Sequence, residues 1–261
     1  MKKSLAVLLR CLGFNRPAPT TRLSRILRRS ERTLTVLLLL YAGLHVFPQV
    51  FFAHSVTTDG ITIYSRTPLP PAAAECAKRA AALTHQSELA VPGRRERVFV
   101  CNSPTRFRLF SLRSSGAFAV RNSLTGAVFV ADADFQGDTA HCSSPDYNSR
   151  AFSGVVAHEI THGLIRHRLG LIRGERLPDW VDEGYCDYVA REGSFPEEEG
   201  RRRFASGEDH LSSSYRYFKY RQMVRYLAEN QRLSFAQIVA RAGDSASVEA
   251  EARRAAQAGN P

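Results

Sequence analysis

The sequence predicts an α+β fold. Strand-like segments cluster soon after residue 57, and helical segments fill most of the chain from residue 153 onward. Segregation of this kind sets helices against a mixed sheet instead of alternating them with parallel strands. A third observation precedes both: from Thr33 to Thr58 there is no charged residue. The expected architecture is therefore one N-terminal transmembrane helix, then a mixed sheet, then a helical subdomain. With 261 residues, 44% of them hydrophobic, the chain has room for one medium domain plus extras and is no disordered chain.

The N-terminal elements come first. Residues 1–32 carry nine Lys/Arg against one acid, Glu31, so +8 of the net charge of +11 lies there and only +3 in the remainder. A nearly balanced globular part argues against a nucleic-acid partner. Thr33–Ala53 reads TLTVLLLLYAGLHVFPQVFFA, and about 20 apolar residues span a bilayer. Cations before it and few just after it put the N-terminus in the cytoplasm. A cleaved signal peptide would need a shorter apolar core and an A-x-A-like site, for which Phe51-Phe52-Ala53 is a poor match. The expectation is a basic cytoplasmic tail (1–32), a single-pass anchor (33–53) in a bacterial-type inner membrane, and an extracytoplasmic, periplasmic domain (57–245). Residues 246–261 are an Ala/Arg-rich tail free to fray. Leu5–Leu12 is apolar but too short to span. Four cysteines follow the anchor, an even number in an oxidising space. Cys76–Cys101 and Cys142–Cys186 are the expected disulfides, chosen by sequence proximity and expected helix–strand packing. No C-x-x-C occurs, which argues against a zinc site built from them.

Gly60–Tyr64 reads as a strand, Ala72–Leu89 as an Ala-rich helix, Arg97–Cys101 as a strand and Thr105–Leu112 as a short helix. Ala117–Val120 and Ala127–Ala131 are strands joined by a hairpin-like loop, 122–126. Gln136–Ser149 is a polar loop. Glu192–Arg203 is a charged helix or loop. Ser212–Ser214 can cap a helix through Leu227, with Tyr217, Tyr220, Val224 and Leu227 at helical spacing. Phe235–Ala242 is a further helix.

Between them lies the stretch that carries chemistry. His158-Glu159-Ile160-Thr161-His162 is H-E-x-x-H in an apolar helix (Val155, Val156, Ile160, Leu164, Ile165). Residues four apart share a helix face, so both imidazoles can reach one Zn2+ while Glu159 lies one step round as a general base. Burial at such depth is not expected of two His and a Glu without partners. Trp180-Val-Asp-Glu-Gly-Tyr-Cys-Asp187 follows, in a helix started by Pro178 or Asp179. Glu183 lies one turn after Trp180, and Asp187 one turn further on the same face. They offer a third ligand and a carboxylate for the outer nitrogen of a ligand His. Asp182 lies about 100° round from Glu183 and is expected to face elsewhere; Asp179 suits the helix cap.

H-E-x-x-H followed, after an intervening 20 residues, by E-G-x-x-D within W-x-x-E-G-x-x-D resembles the gluzincin metallopeptidases, the thermolysin and M1-aminopeptidase group, especially their small peptidase MA-like relatives. The likeness extends over about Gly126–Leu227. A metzincin pattern does not fit, because Arg168 stands where a third His belongs. The resemblance implies a small zincin-like domain with His158, His162 and Glu183 as zinc ligands, Glu159 as base, and Asp187 behind a ligand His. It further implies a downstream Tyr or His that donates to the oxyanion. Counting back from Val224–Leu227, Tyr217 matches best, with Tyr215 and His210 as rivals and simple packing as the other role for the tyrosines. A strand beside the cleft would take an extended peptide by β-addition. Gly126–Ala131 is the candidate by position, unless it is an ordinary hairpin strand with no free edge.

These readings together lead to a membrane-anchored zinc metallopeptidase acting on a peptide or protein. Two alternatives remain: a non-hydrolytic zinc-binding envelope protein, against which the intact Glu159 argues, and a zinc amidohydrolase of another amide such as cell-wall material.

Overall fold

The computed structural model describes residues 21–111 and 116–259. Most of the basic tail, with the Leu5–Leu12 run and Cys11, lies outside the described residues. The chain divides into two units, Met1–Val50 and Phe51–Pro261.

In the first unit, helix α1 (Arg22–Val46) is opened by a capping box in which the Thr21 side chain accepts from the Ser24 amide. The expected anchor is corrected here. Among the described residues, no helix is long and apolar enough to cross a membrane. The uncharged run seen in the sequence does not coincide with a helix. The first half of α1 carries Arg22, Arg25, Arg28, Arg29, Glu31 and Arg32, and the helix ends at Val46, before a 3-10 turn at Pro48–Phe51. Its uncharged part, Thr33–Val46, is about 21 Å long at 1.5 Å per residue, against a hydrocarbon core of about 30 Å. The single-pass inner-membrane topology with an extracytoplasmic domain rested on that anchor and falls with it.

The second unit has the expected mixed sheet and helices. Strands β1 (His54–Thr58), β2 (Ile61–Ser65), β3 (Glu96–Val100), β4 (Ala119–Arg121) and β5 (Val128–Val130) form one sheet in the order β1-β2-β3-β5-β4. The pairs β2–β3 and β3–β5 are parallel; β1–β2 and β4–β5 are antiparallel hairpins. Strand alternation divides the apolar residues between two faces. Ile61, Ile63, Val98, Val100, Val128 and Val130 join the main core with helix α2 (Pro71–His85). Phe99 and Phe129 point the other way and stack at 5.3 Å, with Phe110 of α3 (Pro104–Ser111) lying on Phe129 at 4.3 Å. Strand β5 lies between β3 and β4, so the 126–131 segment offers no free edge; the edge belongs to β4.

A small sheet of β6 (Asp132–Asp134), β7 (Thr139–His141) and β8 (Ser149–Ala151) occupies part of what reads in sequence as a loop. Three-residue strands carry too few positions to show alternation. Strand β8 runs directly into α4 (Phe152–Leu169), and the β6–β7 turn caps that helix from outside: Asp138 accepts from the Ser153 amide at 3.0 Å and its hydroxyl at 2.7 Å.

The remainder is helical: α5 (Leu171–Glu175), α6 (Asp179–Ala190), α7 (Glu197–Ser206), α8 (Ser213–Arg225), a π-helical turn (Tyr226–Asn230), α9 (Phe235–Ala240) and α10 (Ser245–Gln257). Ser212 caps α8 as expected, accepting from the Tyr215 amide. Helix α6 starts at Pro178 without a side-chain cap, so Asp179 sits in its first turn and is no cap. Trp180 is buried, and its indole donates to the Ala242 carbonyl at 3.0 Å, tying α6 to the end of α9. The Ala/Arg-rich tail is ordered as α10, whose Val248 and Ala252 are buried.

The four cysteines of this unit are free thiols, which corrects the expected disulfides. They lie apart on separate elements: Cys76 within α2, Cys101 after β3, Cys142 after β7 and Cys186 within α6. Burial pushes the Cys76 and Cys101 thiols up to about 12 and raises Cys142 and Cys186 as well.

Candidate metal centre

Helix α4 is buried through most of its length, from Phe152 to Ile165 save for the half-exposed Glu159. One turn apart on it, His158 and His162 turn their Nε2 atoms toward each other at 3.1 Å. From α6, Glu183 brings Oε2 to 3.2 Å from His158 Nε2 and 3.8 Å from His162 Nε2. A tetrahedral ion about 2.0–2.1 Å from each donor would space the donors by about 3.3 Å. The three atoms therefore fit one ion without large rearrangement. A second way of closing the group exists. His158, His162 and Cys186 are all buried, each has a ligand atom within 4.8 Å of the others, and together they could hold a metal ion.

The outer ring nitrogens are taken by carboxylates. His158 Nδ1 lies 2.7 Å from Asp187 Oδ1, the contact expected from helical spacing. His162 Nδ1 lies 3.1 Å from Asp182 Oδ1. Asp182, about 100° round α6 from Glu183, thus meets the outer nitrogen of an imidazole, a role its helical position alone did not indicate. It does not compete with Glu183 for the ion, since it reaches the far side of an imidazole. With each Nδ1–H directed at a carboxylate, each Nε2 lone pair is left for the ion.

Behind Asp187 stands Arg150 of β8, 2.9 Å from both Asp187 Oδ1 and Glu192 Oε1. Glu192 passes close over Gly154, where a side chain would collide with it. The charges respond in a consistent way. Burial would lift the Asp187 carboxyl, but Arg150 and His158 hold it down to about 2. Burial would lower His158, but Asp187 and Glu183 raise it to about 10. Burial would also lower His162, and Asp182 raises it. Burial would raise Glu183, and the two imidazoles lower it. The carboxylates around the two imidazoles thus favour positive charge at this centre.

Glu159 is half-exposed and makes no side-chain hydrogen bond or ion pair among the described residues. Its backbone carbonyl accepts from Arg121 of β4 at 3.5 Å, and Arg121 pairs with Glu96 at 2.9 Å. Gly163 makes room for that guanidinium, which a Cβ there would meet at 2.4 Å.

Of the three oxyanion candidates, two are engaged elsewhere. Tyr215 is buried in an aromatic cluster with Phe195, Phe204 and Phe218, and its hydroxyl donates to the Glu208 carbonyl. His210 is tied to Ser212 at 2.9 Å and packs against Tyr147 and Phe195. Tyr217 is half-buried, with Arg216 hydrogen-bonded to its hydroxyl and its guanidinium 5.6 Å from the ring centroid; burial, then the charge of Glu183, raises its pKa. Sequence reasoning missed Asp182, Arg150, Glu192 and Arg121. For Asp182 a signal existed: two imidazoles need two carboxylates, and Asp182 and Asp187 flank Glu183 on one helix.

The chain matches no protein-family model, no curated protein and no solved structure.

Proposed function

We propose that the chain is a zinc-dependent metallopeptidase of the type suggested by its H-E-x-x-H and E-G-x-x-D segments. The observation that carries this reading is the convergence of His158 Nε2, His162 Nε2 and Glu183 Oε2 within 3.1–3.8 Å of one another beside the unpaired Glu159. His158, His162 and Glu183 would hold the zinc, which when bound polarises the scissile carbonyl and makes water acidic enough to attack it. Glu159 takes the proton from the attacking water and hands it to the leaving amine. Tyr217 donates a hydrogen bond to the developing oxyanion. Asp187 and Asp182 hold the two imidazoles in the tautomer and direction that coordination requires. An extended peptide would pair with the open edge of β4, the strand that ends at Arg121 beside α4.

The test is hydrolysis of a peptide library by the purified full chain, with chelator and zinc-restoration controls. Glu159→Gln is expected to keep its zinc and lose about 10² to 10⁴-fold in turnover. Undiminished turnover in that variant rules out this chemistry.

A second reading has one observation in its favour, the buried Cys186 thiol near both imidazoles. A His158–His162–Cys186 site would be a binding centre of two imidazoles and a thiolate with Glu183 outside the ligand set. Glu183 Oε2 lies 3.2 and 3.8 Å from the two Nε2 atoms, which favours Glu183 as the anionic donor. Zinc content separates the two readings. Glu183→Ala is expected to lose the metal and Cys186→Ser to keep it; the reverse result assigns the site to the cysteine.

A further inference from the structure

A cavity of about 380 Å³ lies at the C-terminal ends of α6 and α8, where they meet α7. It shares no lining residue with the metal centre. Four arginines face it, Arg191, Arg201, Arg221 and Arg225, against two carboxylates, Glu197 and Glu229. Arg201 and the buried Arg221 both bind Glu197, and Arg225 pairs with Glu229 at 3.0 Å. The partner of Arg191 is the uncharged Gln86 amide. The lining therefore carries two more positive charges than negative ones. Arg191 ends α6 at φ 58°, a left-handed position where Gly or Asn is favoured.

A second cavity, about 170 Å³, adjoins the first and shares Arg201, Gln222 and Arg225 with it. Its remaining wall is mostly apolar, with Phe204, Tyr226, Ala252 and Ala256 among its residues. Between the two, the Gln222 side-chain nitrogen is buried without a hydrogen-bond partner, a costly arrangement unless some acceptor comes to it.

We infer that this double cavity binds a phosphate monoester bearing an apolar group. A phosphate monoester carries about −1.5 to −2 charge near pH 7, which matches the cationic excess, and offers three acceptor oxygens to planar guanidinium donors. The alanine-lined recess takes the apolar substituent, and a small rotation gives the Gln222 amide an ester or phosphoryl oxygen. The two cavities together have the size of a small-ligand site.

Isothermal titration of the full chain with phenyl phosphate, and separately with inorganic phosphate, tests this site. Saturable one-to-one binding of phenyl phosphate is expected, about tenfold tighter than inorganic phosphate through burial of the ring. It should be unchanged after metal removal. The double substitution Arg191→Gln with Arg225→Gln is expected to weaken it tenfold or more while zinc content stays normal. Ala256→Leu, which fills the recess, is expected to weaken phenyl phosphate and spare inorganic phosphate, so a fold defect in the arginine variant would not hide the answer. Absence of saturable binding overturns the proposal. So does equal affinity for the two probes, indifference to the arginine pair, or loss of binding with the metal, which would place the anion on the ion.

Discussion

The two imidazoles of the metal centre meet at nearly equivalent nitrogens but are held from behind by unequal supports. His158 leans on Asp187, whose side chain is 2% exposed and is itself gripped by Arg150, which Glu192 holds in turn. His162 leans on Asp182, 18% exposed, for which no further partner is present among the described residues. A chain of buried charges that ends in an arginine from another element is rigid, because every member has a fixed neighbour. A lone carboxylate near solvent orients its imidazole and does little more. One ligand is thus built into the fold, while the other is positioned locally by its neighbouring helix.

The largest test of that contrast removes the far end of the buried chain. Arg150→Met leaves Asp187 with only His158, and unpairing a buried charge typically costs about 3–5 kcal/mol. Urea denaturation of the metal-free chain near pH 7 should show a loss toward the lower end of that range. A loss below about 1 kcal/mol, the scale of an exposed pair, would mean that the arginine supports nothing. Next in size is the pair of aspartates. Removing a carboxylate behind a ligand His lowers metal affinity by about 10–100-fold; Asp187→Ala should fall near the upper figure and Asp182→Ala near the lower. Equal losses in a competition assay with a zinc indicator would erase the difference between the two sides.

The smallest effect is one of pH. Asp187 and Glu183 together raise His158 to about 10 despite its burial. In the metal-free protein a raised pKa contributes stability that is full below the unfolded value of about 6.5 and is lost as pH rises toward 10. A metal ion bound through His158 would displace that proton, so in a zinc titration apparent affinity is expected to climb with pH between about 7 and 9, by about tenfold per unit for each proton released. In Asp187→Ala, where the main cause of the raised value is gone, the climb should level off at lower pH. A flat profile in the unaltered chain would show that His158 is already deprotonated.

What was legible in the sequence was what one helix can state by its own spacing. His158 and His162 share a face of α4, and Glu183 and Asp187 share a face of α6, because residues four apart do so in any helix. The order of strands and helices announced the α+β class for a similar reason. What could not be read depends on contacts between distant segments: Arg150 meets Asp187 across 37 positions, and Arg121 meets the Glu159 carbonyl across 38. The helical angle of Asp182 from Glu183 excludes both from facing one ion but does not show that Asp182 meets the second nitrogen on the far side of His162. The anchor was misread because an uncharged run was counted without regard to where the helix stops, at Val46 before Pro48. The cysteines were paired by nearness in sequence, and the fold distributes them among separate elements.

Gly184 follows Glu183 in the E-G-x-x-D segment, and a Cβ there would come within 2.6 Å of the Tyr220 carbonyl oxygen on α8. That contact works as an alignment pin between two shafts. It lets α8 approach α6 closely, one residue from Glu183 and one turn from Tyr217. The packing of α8 beside Glu183 is therefore set at a place where a side chain is missing. Even a single added methyl group at that point would drive the shafts apart and leave every residue of the centre chemically intact but out of gauge.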